Sequence, residues 1–424
     1  MSRKRFLTLG LVIGLVFAVT VSASAFWIFG DDSGEKKNEE VTITFSTGND
    51  TTGANTKIVK KFEEEHPNIN VEYVEQPNSS DKQHDTYVTK LNAKSPSIDV
   101  FSVDVIWPAE FAAAGWLLPL DEYIDQDKFL PGTIEATSYQ GTLYAVPWFT
   151  DAGLLYYRKD IVDEAPETWN ELYTKAQEHM GEKGTKMGFT FQAKQYEGLV
   201  CDFLEYVWAN GGQVLDGQEV VIDSPENVEA LKFFKKLVQS DVSPEGITTY
   251  DEPASLKPFK EGLAVFHRNW PYAWGILQGK DAKMKGKVEV APMPKGPKGD
   301  SGAATLGGWN LAVNKYTDNK EAAIEFVKFV TSYKMQKFNA LESARNPTRK
   351  AVYDDEEVIE ANPFMEKLYD VFINARPRPT TPVYPQVSDV IQEQVHKALH
   401  DVKSSKQALE DAQSEIEEIM KQVQ

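Results

Sequence analysis

Residues 41–45, Val-Thr-Ile-Thr-Phe, alternate apolar and polar positions and are rich in β-branched side chains, which predicts a first strand. Residues 46–55 are polar and contain glycine, the composition of a loop. Ile58, Val59 and Phe62 then share one face of a helix that stops before Pro67. Residues 70–74 predict a second strand, Tyr87, Val88 and Leu91 mark a second helix, and residues 98–103 predict a third strand running into Asp104-Val105-Ile106-Trp107-Pro108. Strands and helices alternating through connections this short form a parallel α/β pattern.

A second region of the same kind follows. Residues 142–145, 154–157 and 188–192 predict strands, and Thr168-Trp169-Asn170-Glu171 is a capping box that opens a helix. A helix over 197–210 ends at Gly211-Gly212. Ser224 and Pro225 are N-cap and N1 of another helix, made amphipathic by Leu231, Phe234, Leu237 and Val238. The run Leu263-Ala264-Val265-Phe266 predicts a buried strand, which Pro271 stops while opening a following helix, and another strand falls near 288–290. Residues 292–302 are rich in Pro, Gly and Lys, a hinge or linker candidate, and a strand recurs at 311–313. The last hundred residues read as helical apart from loops at 342–348 and 376–385, and a closing helix over 405–423 carries Leu409, Ile416 and Ile419. Two α/β regions with a strand recurring after the linker imply two lobes, joined by more than one crossing and able to hinge.

Composition narrows the class. A chain of 424 residues with 41% hydrophobic and 11% aromatic side chains has enough apolar surface for two or three domains. A formal net charge of −19 disfavours nucleic acid and anionic lipid as partners. The single cysteine, Cys201, rules out a disulfide framework and a cysteine-rich zinc site, and no cysteine near the N-terminus is available for lipidation. Arg3-Lys4-Arg5, a run without charge from Phe6 to Gly30, and Ala23-Ser24-Ala25 make residues 1–30 an export signal peptide or an N-terminal membrane anchor. Residues 31–40 follow as a polar tether, so the working part is expected outside the cytoplasm, in the periplasm or at the cell surface.

Catalytic signatures are missing. The six histidines form no H-E-x-x-H pair, and there is no G-x-S-x-G, Walker A or dinucleotide fingerprint. Asp121, Asp125 and Asp127 lack the glycine and terminal glutamate of a calcium loop. No catalytic residue, metal site or cofactor is therefore expected. Aromatic-plus-polar clusters, by contrast, recur beside strands: Asp104 with Trp107; Trp148-Phe149-Thr150-Asp151; His267 to Gly275 with Trp270, Tyr272 and Trp274; and Gly307-Gly308-Trp309. Sugar C–H faces pack on aromatic rings while their hydroxyls need directed polar partners. Taken singly, each aspartate is equally explained as an N-cap or turn residue, and Trp107, Trp148 and Trp309 are more often core than site. As a pair, Asp104 and Asp151 can also be read as the acid and nucleophile of a glycosidase.

Long runs carry a resemblance. Residues 149–160 (Phe-Thr-Asp-Ala-Gly-Leu-Leu-Tyr-Tyr-Arg-Lys-Asp), 194–203, 268–275 (Arg-Asn-Trp-Pro-Tyr-Ala-Trp-Gly), 303–310 (Ala-Ala-Thr-Leu-Gly-Gly-Trp-Asn), Pro377-Arg378-Pro379 and Tyr384-Pro385-Gln386 resemble the trehalose/maltose-binding branch of the family 1 extracellular solute-binding proteins of ABC importers. The resemblance covers nearly everything after residue 41. It implies an α/β, two-lobed periplasmic-binding-protein-like fold of the class II type, with a hinged interlobe cleft and no catalytic machinery. Lobe 1 would comprise residues 41–150 and 303–348, and lobe 2 residues 151–302 and 349–424. By the same resemblance, Asp104 and Asp151 would accept hydrogen bonds from sugar hydroxyls, Trp270 and Trp309 would stack on sugar rings, and Gly307 and Gly308 would bring backbone to the ligand. Tyr272 and Arg378 would add contacts. Three positions depart from the branch: Thr51 stands where it has a glutamate, Gln83 (or His84) where it has an arginine, and Phe149 where it has a tyrosine. The implied function is capture of an α-linked disaccharide, trehalose- or maltose-like, by a monomer that delivers it to ABC permease subunits. The alternatives are another polyol or glucoside, such as glucosylglycerol or sucrose, and a secreted glycosidase.

Overall fold

The computed structural model describes residues 40–422 apart from Thr51, Asn78, Gln218 and Leu368. The export segment, all but the last residue of the tether, and candidate Thr51 lie outside the described residues. Ten strands form two mixed sheets: β1 Val41–Gly48, β2 Ile69–Gln76, β3 Val100–Asp104, β4 Ala145–Ala152, β5 Leu154–Arg158, β6 Met187–Thr190, β7 Ala264–Asn269, β8 Val288–Ala291, β9 Leu306–Val313 and β10 Asn346–Pro347. The first sheet has the order β10-β4-β9-β3-β1-β2 and the second β8-β5-β7-β6.

The parallel pattern expected from the alternation holds for β2, β1 and β3 in the first sheet and for β6 and β7 in the second. β9 inserts antiparallel between β3 and β4, pairing Leu311 with Ser102 on one side and with Val146 on the other. It begins five residues before the strand expected at 311–313. The strand expected at 142–145 is present as a two-residue strand, Thr142–Leu143, paired with Ser138–Tyr139, and as the start of β4, which runs on through Trp148, Phe149 and Asp151. Pro147 argues against a central strand in the sequence, since it cannot donate to a ladder. Here a bulge between Trp309 and Asn310 falls opposite it, and its carbonyl accepts from Gln336 Nε2 (3.2 Å) and Thr348 Oγ1 (2.9 Å). Asp151 therefore projects from a strand rather than a loop.

Helices cover both sheets. α1 (Ala54–Glu65) stops at His66, as Pro67 requires, and puts Ile58, Val59 and Phe62 into the first core with Phe45, Val146, Leu311 and Phe326. α2 (Ser80–Asn92) buries Tyr87 and Leu91. In the second core, α3 (Glu197–Ala209) is buried along its whole length and packs with α4 (Pro225–Gln239), whose Leu231, Phe234 and Leu237 face inward. Thr168 and Ser224 cap their helices as expected, accepting from the Glu171 and Asn227 amides. α5 (Glu252–Lys260) and α6 (Tyr272–Gln278) flank β7, and α7 (Lys320–Val330) and α8 (Tyr333–Ser343) follow β9. The C-terminal α9 (Tyr384–Leu399) and α10 (Ser405–Met420) lie against the second core through Val387, Ile391, Leu409 and Ile416.

The chain passes between the two sheets at Gly153, between β8 and β9, and after β10. The Pro/Gly/Lys segment 292–302 is not a free linker. The Gly296 amide donates to Ala209 O (2.8 Å) and the Lys295 amide to Glu167 O (2.9 Å), tying the segment to the second core. The crossing falls just after it, where Ala304 and Leu306 exchange backbone hydrogen bonds with Arg376. Among the described residues no helix is long and apolar enough to cross a membrane.

Candidate ligand-binding site

A cavity of about 510 Å³ lies between the two sheets, at the ends of several strands. Ten of the eleven expected residues line it: Asp104, Phe149, Asp151, Gly307, Gly308, Trp309 and Gln83 from elements of the first sheet, and Trp270, Tyr272 and Arg378 from those of the second. Thr51 is the eleventh. The long loops of an α/β chain converge at strand ends, which is why residues far apart in sequence meet there.

Asp104 ends β3. Its Oδ1 accepts from Arg378 Nη2 (3.1 Å) and from the Ile106 amide (3.3 Å). Burial pushes its carboxyl up, against the pull of the Arg378 charge. Arg378 also donates through Nη1 to Glu197 Oε1 (2.6 Å), and Glu197 further accepts from the Tyr384 and Ser388 hydroxyls. Two of the Arg378 donors are thus committed to carboxylates of the protein, so the arginine clamps the floor of the cavity as well as lining it. Among the described residues Asp151 has no such partner at ion-pair distance, and burial pushes its carboxyl up to about 7, against the attraction of Arg345.

Trp270 follows β7. The Arg268 guanidinium lies 4.2 Å from its ring centre, and its indole Nε1 donates to Glu252 Oε1 (3.3 Å). Arg268 is itself buried between Glu205 (2.5 and 2.9 Å) and Asp202 (3.0 Å). Trp309, on β9, is half-buried and stands edge-on to Trp107 at 5.4 Å. The two glycines before it have local reasons as well. A Cβ on Gly307 would lie 2.9 Å from the Trp270 ring, and one on Gly308, whose φ is 117°, would lie 2.4 Å from the Phe149 carbonyl. Gly308 is therefore required by the adjacent strand itself. Gln83 is buried, with Nε2 donating to Pro77 O (2.8 Å). Phe149 is 8% exposed, and the Arg345 guanidinium covers its ring at 4.6 Å. Burial raises the Tyr272 hydroxyl pKa.

Among the further lining residues that escaped the sequence reading are Asp50, Tyr196, Glu197, Glu252 and Arg345. Asp50, Tyr196 and Glu197 lie in runs already singled out, beside Thr51 and within 194–203. Glu252 follows Asp251, whose side chain caps α5. Arg345 lies in the loop expected at 342–348. Tyr196 donates to Glu252 Oε2 (2.8 Å), so Glu252 joins two cavity aromatics. The lining therefore offers indole faces, carboxylate acceptors and a guanidinium donor set in one concave space. Among the described residues no cluster of His, Cys, Asp and Glu converges to hold a metal ion.

Residues 47–337 match the family model of the bacterial extracellular solute-binding proteins. The chain belongs to this family. As a solute-binding protein it is 47% identical to the maltose-bound MalE3 of T. maritima, with a TM-score of 0.85 over 89% of this chain and 99% of that one. It is 38% identical to a probable ABC transporter-binding protein of Deinococcus radiodurans, over 78% of this chain and 81% of the relative. It is 30% identical to the maltotriose-binding protein of Pyrococcus abyssi, over 69% and 62% respectively. The two-lobed fold expected from the sequence is the fold of these solved structures.

Proposed function

We propose that this solute-binding protein is an extracytoplasmic receptor for an α-linked glucose disaccharide or short oligosaccharide of the maltose or trehalose type, and that it passes its cargo to an ABC permease as a monomer. The observation that carries the reading is the pairing, in one cavity, of Trp270 and Trp309 with the carboxylates of Asp104, Asp151 and Glu252, contributed from both sides. Maltose in the MalE3 structure and maltotriose in the name of the P. abyssi relative support this ligand class. On this reading the boundary expected at 150/151 moves to Gly153, which keeps Asp151 with the first lobe; the others fall near 302/303 and 348/349, with Gly153 and the Ala304–Leu306 crossing in the hinge. A sugar touching both lobes favours the arrangement that completes its contacts.

Indole stacking on two rings and a few charge-assisted hydrogen bonds are of the size needed for micromolar affinity, about −8 kcal/mol net. Calorimetric titration with maltose, trehalose, maltotriose, sucrose and glucosylglycerol tests the reading. Trp309→Ala is expected to weaken the best ligand by about 2 kcal/mol or more, as for a buried aromatic anchor. Absence of binding to the whole set would overturn the sugar class. Turnover of maltose or trehalose that vanishes in Asp151→Asn would overturn the receptor role in favour of a glycosidase.

A further inference from the structure

Arg345 follows the left-handed turn at Ala344 (φ 53°) and immediately precedes β10. Asn346 pairs with Thr150, so one residue on, in antiparallel register, Arg345 and Asp151 lie on the same face of the sheet, the one that lines the cavity. The guanidinium lies on the Phe149 ring at 4.6 Å. Nη1 donates to Asn55 Oδ1 (3.0 Å), and Nη2 is 3.5 Å from Asp50 Oδ1. Asp50 is itself fixed by the amides of Thr52 (3.0 Å) and Asn55 (2.8 Å). A guanidinium so braced is a rigid fork, and its five N–H groups exceed what these two partners use.

We infer that Arg345 is a specificity-determining residue of the cleft: with Asp151 it reads two neighbouring hydroxyls of one sugar ring, the guanidinium donating to one oxygen and the carboxylate accepting from the other. Phe149 serves the ligand through Arg345, as the platform that holds the fork flat. A point charge at this place would not reproduce the planar donor set. The inference rests on the receptor reading and names the contact that would select among its sugars.

The charges facing Asp151 are Arg345, Asp104 and Arg268, with the tyrosines Tyr156, Tyr272 and Tyr353 nearby. Removing the Arg345 charge should therefore move the loss of binding at low pH to a higher pH. Wild type, Arg345→Gln and Arg345→Lys are titrated with maltose, trehalose, maltotriose and the monodeoxy maltoses between pH 5 and 9, with Tm recorded for each. Loss of a hydrogen bond to a charged donor predicts roughly 10- to 100-fold weaker binding in Arg345→Gln. At least one monodeoxy maltose should be penalised in wild type and not in Arg345→Gln, and the pH midpoint should rise in that variant. Arg345→Lys should recover the pH midpoint but not the affinity.

Unchanged affinity in Arg345→Gln overturns the inference. So does a loss that is equal for every deoxy analogue, leaves the pH midpoint in place and accompanies a lower Tm, because that is the behaviour of a brace. If wild type binds none of the three sugars, the maltose- or trehalose-type reading falls and this inference with it. If wild type binds and only the variant results fail, the receptor reading stands alone.

Discussion

Asp151 is the residue whose chemistry is most exposed to solution conditions. Burial raises its carboxyl to about 7, so near neutral pH the empty cleft holds it only partly ionised. Hydroxyls that donate to it stabilise the carboxylate and lower its pKa in the complex. Affinity should accordingly fall about tenfold per pH unit below 7, and Asp151→Asn should bind more weakly with a flat profile. Titration across pH 5–8 checks this, and a wild-type affinity that does not change over that range would sink it. The stability of the free protein should have the opposite slope. A carboxyl with a raised folded-state pKa keeps its proton on folding, so its presence costs stability as pH rises from about 4 to about 7. Tm should fall over that window less steeply in Asp151→Asn. The sequence made Asp151, Trp270 and Trp309 legible because each lies beside an apolar run with aromatic neighbours. Arg345 gave no such signal: its bonded partner Asn55 is 290 residues away, and a loop between a helix and a two-residue strand has no periodicity.

At the level of elements, runs of apolar residues were enough to find most strands and helices, whereas the sheet order was not readable. β9 reaches its place only through pairing with β3 and β4, both more than a hundred residues upstream. No local pattern encodes that partner choice, and Pro147 pointed away from it. The junction between β4 and β5 shows how tightly the crossings are built. A Cβ on Gly153 would lie 1.7 Å from Glu205 Oε1 and 2.5 Å from Arg268 Nη2. The same Glu205 oxygen accepts from the Thr305 amide (3.2 Å) at the next crossing. One buried ion pair thus touches two crossings and, through the Arg268 guanidinium, the face of Trp270. Gly153→Ala must displace that pair, and disrupting a buried pair typically costs about 3–5 kcal/mol. Chemical denaturation should report a loss near the lower end of that range or above, together with weaker sugar binding. A variant as stable as wild type would show that the crossing yields without disturbing the pair.

Across the whole molecule, the two lobes meet at helix ends as well as at the cavity. Asp81, in the first turn of α2, lies beside the Glu197 amide at the start of α3, which favours its ionised form. Asp81 is solvent-exposed and a carboxylate at a helix N-terminus is favourable, yet partial desolvation at the junction and the neighbouring Glu197, Asp389 and Asp104 carboxylates hold it above the usual carboxylate range. Asp389, exposed on α9, is raised by partial desolvation and by the Glu197 and Asp85 carboxylates. Bringing the helix ends together therefore gathers acids from both sides, and their apposition binds protons that separated helix ends would release. By linkage, lowering the pH from 8 towards 5.5 should favour the closed arrangement of the ligand-free chain. Asp81→Asn should favour it already at pH 8 and remove much of the pH dependence. Fluorescence energy transfer between labels on the two lobes measures this without sugar, and closure that is independent of pH, or promoted by alkali, would overturn it. The Asp81 effect acts on closure of the empty receptor and has the opposite sign to the Asp151 effect on ligand affinity. Asp81→Asn should therefore leave the acid loss of binding in place while removing much of the acid-driven closure, and Asp151→Asn should do the reverse.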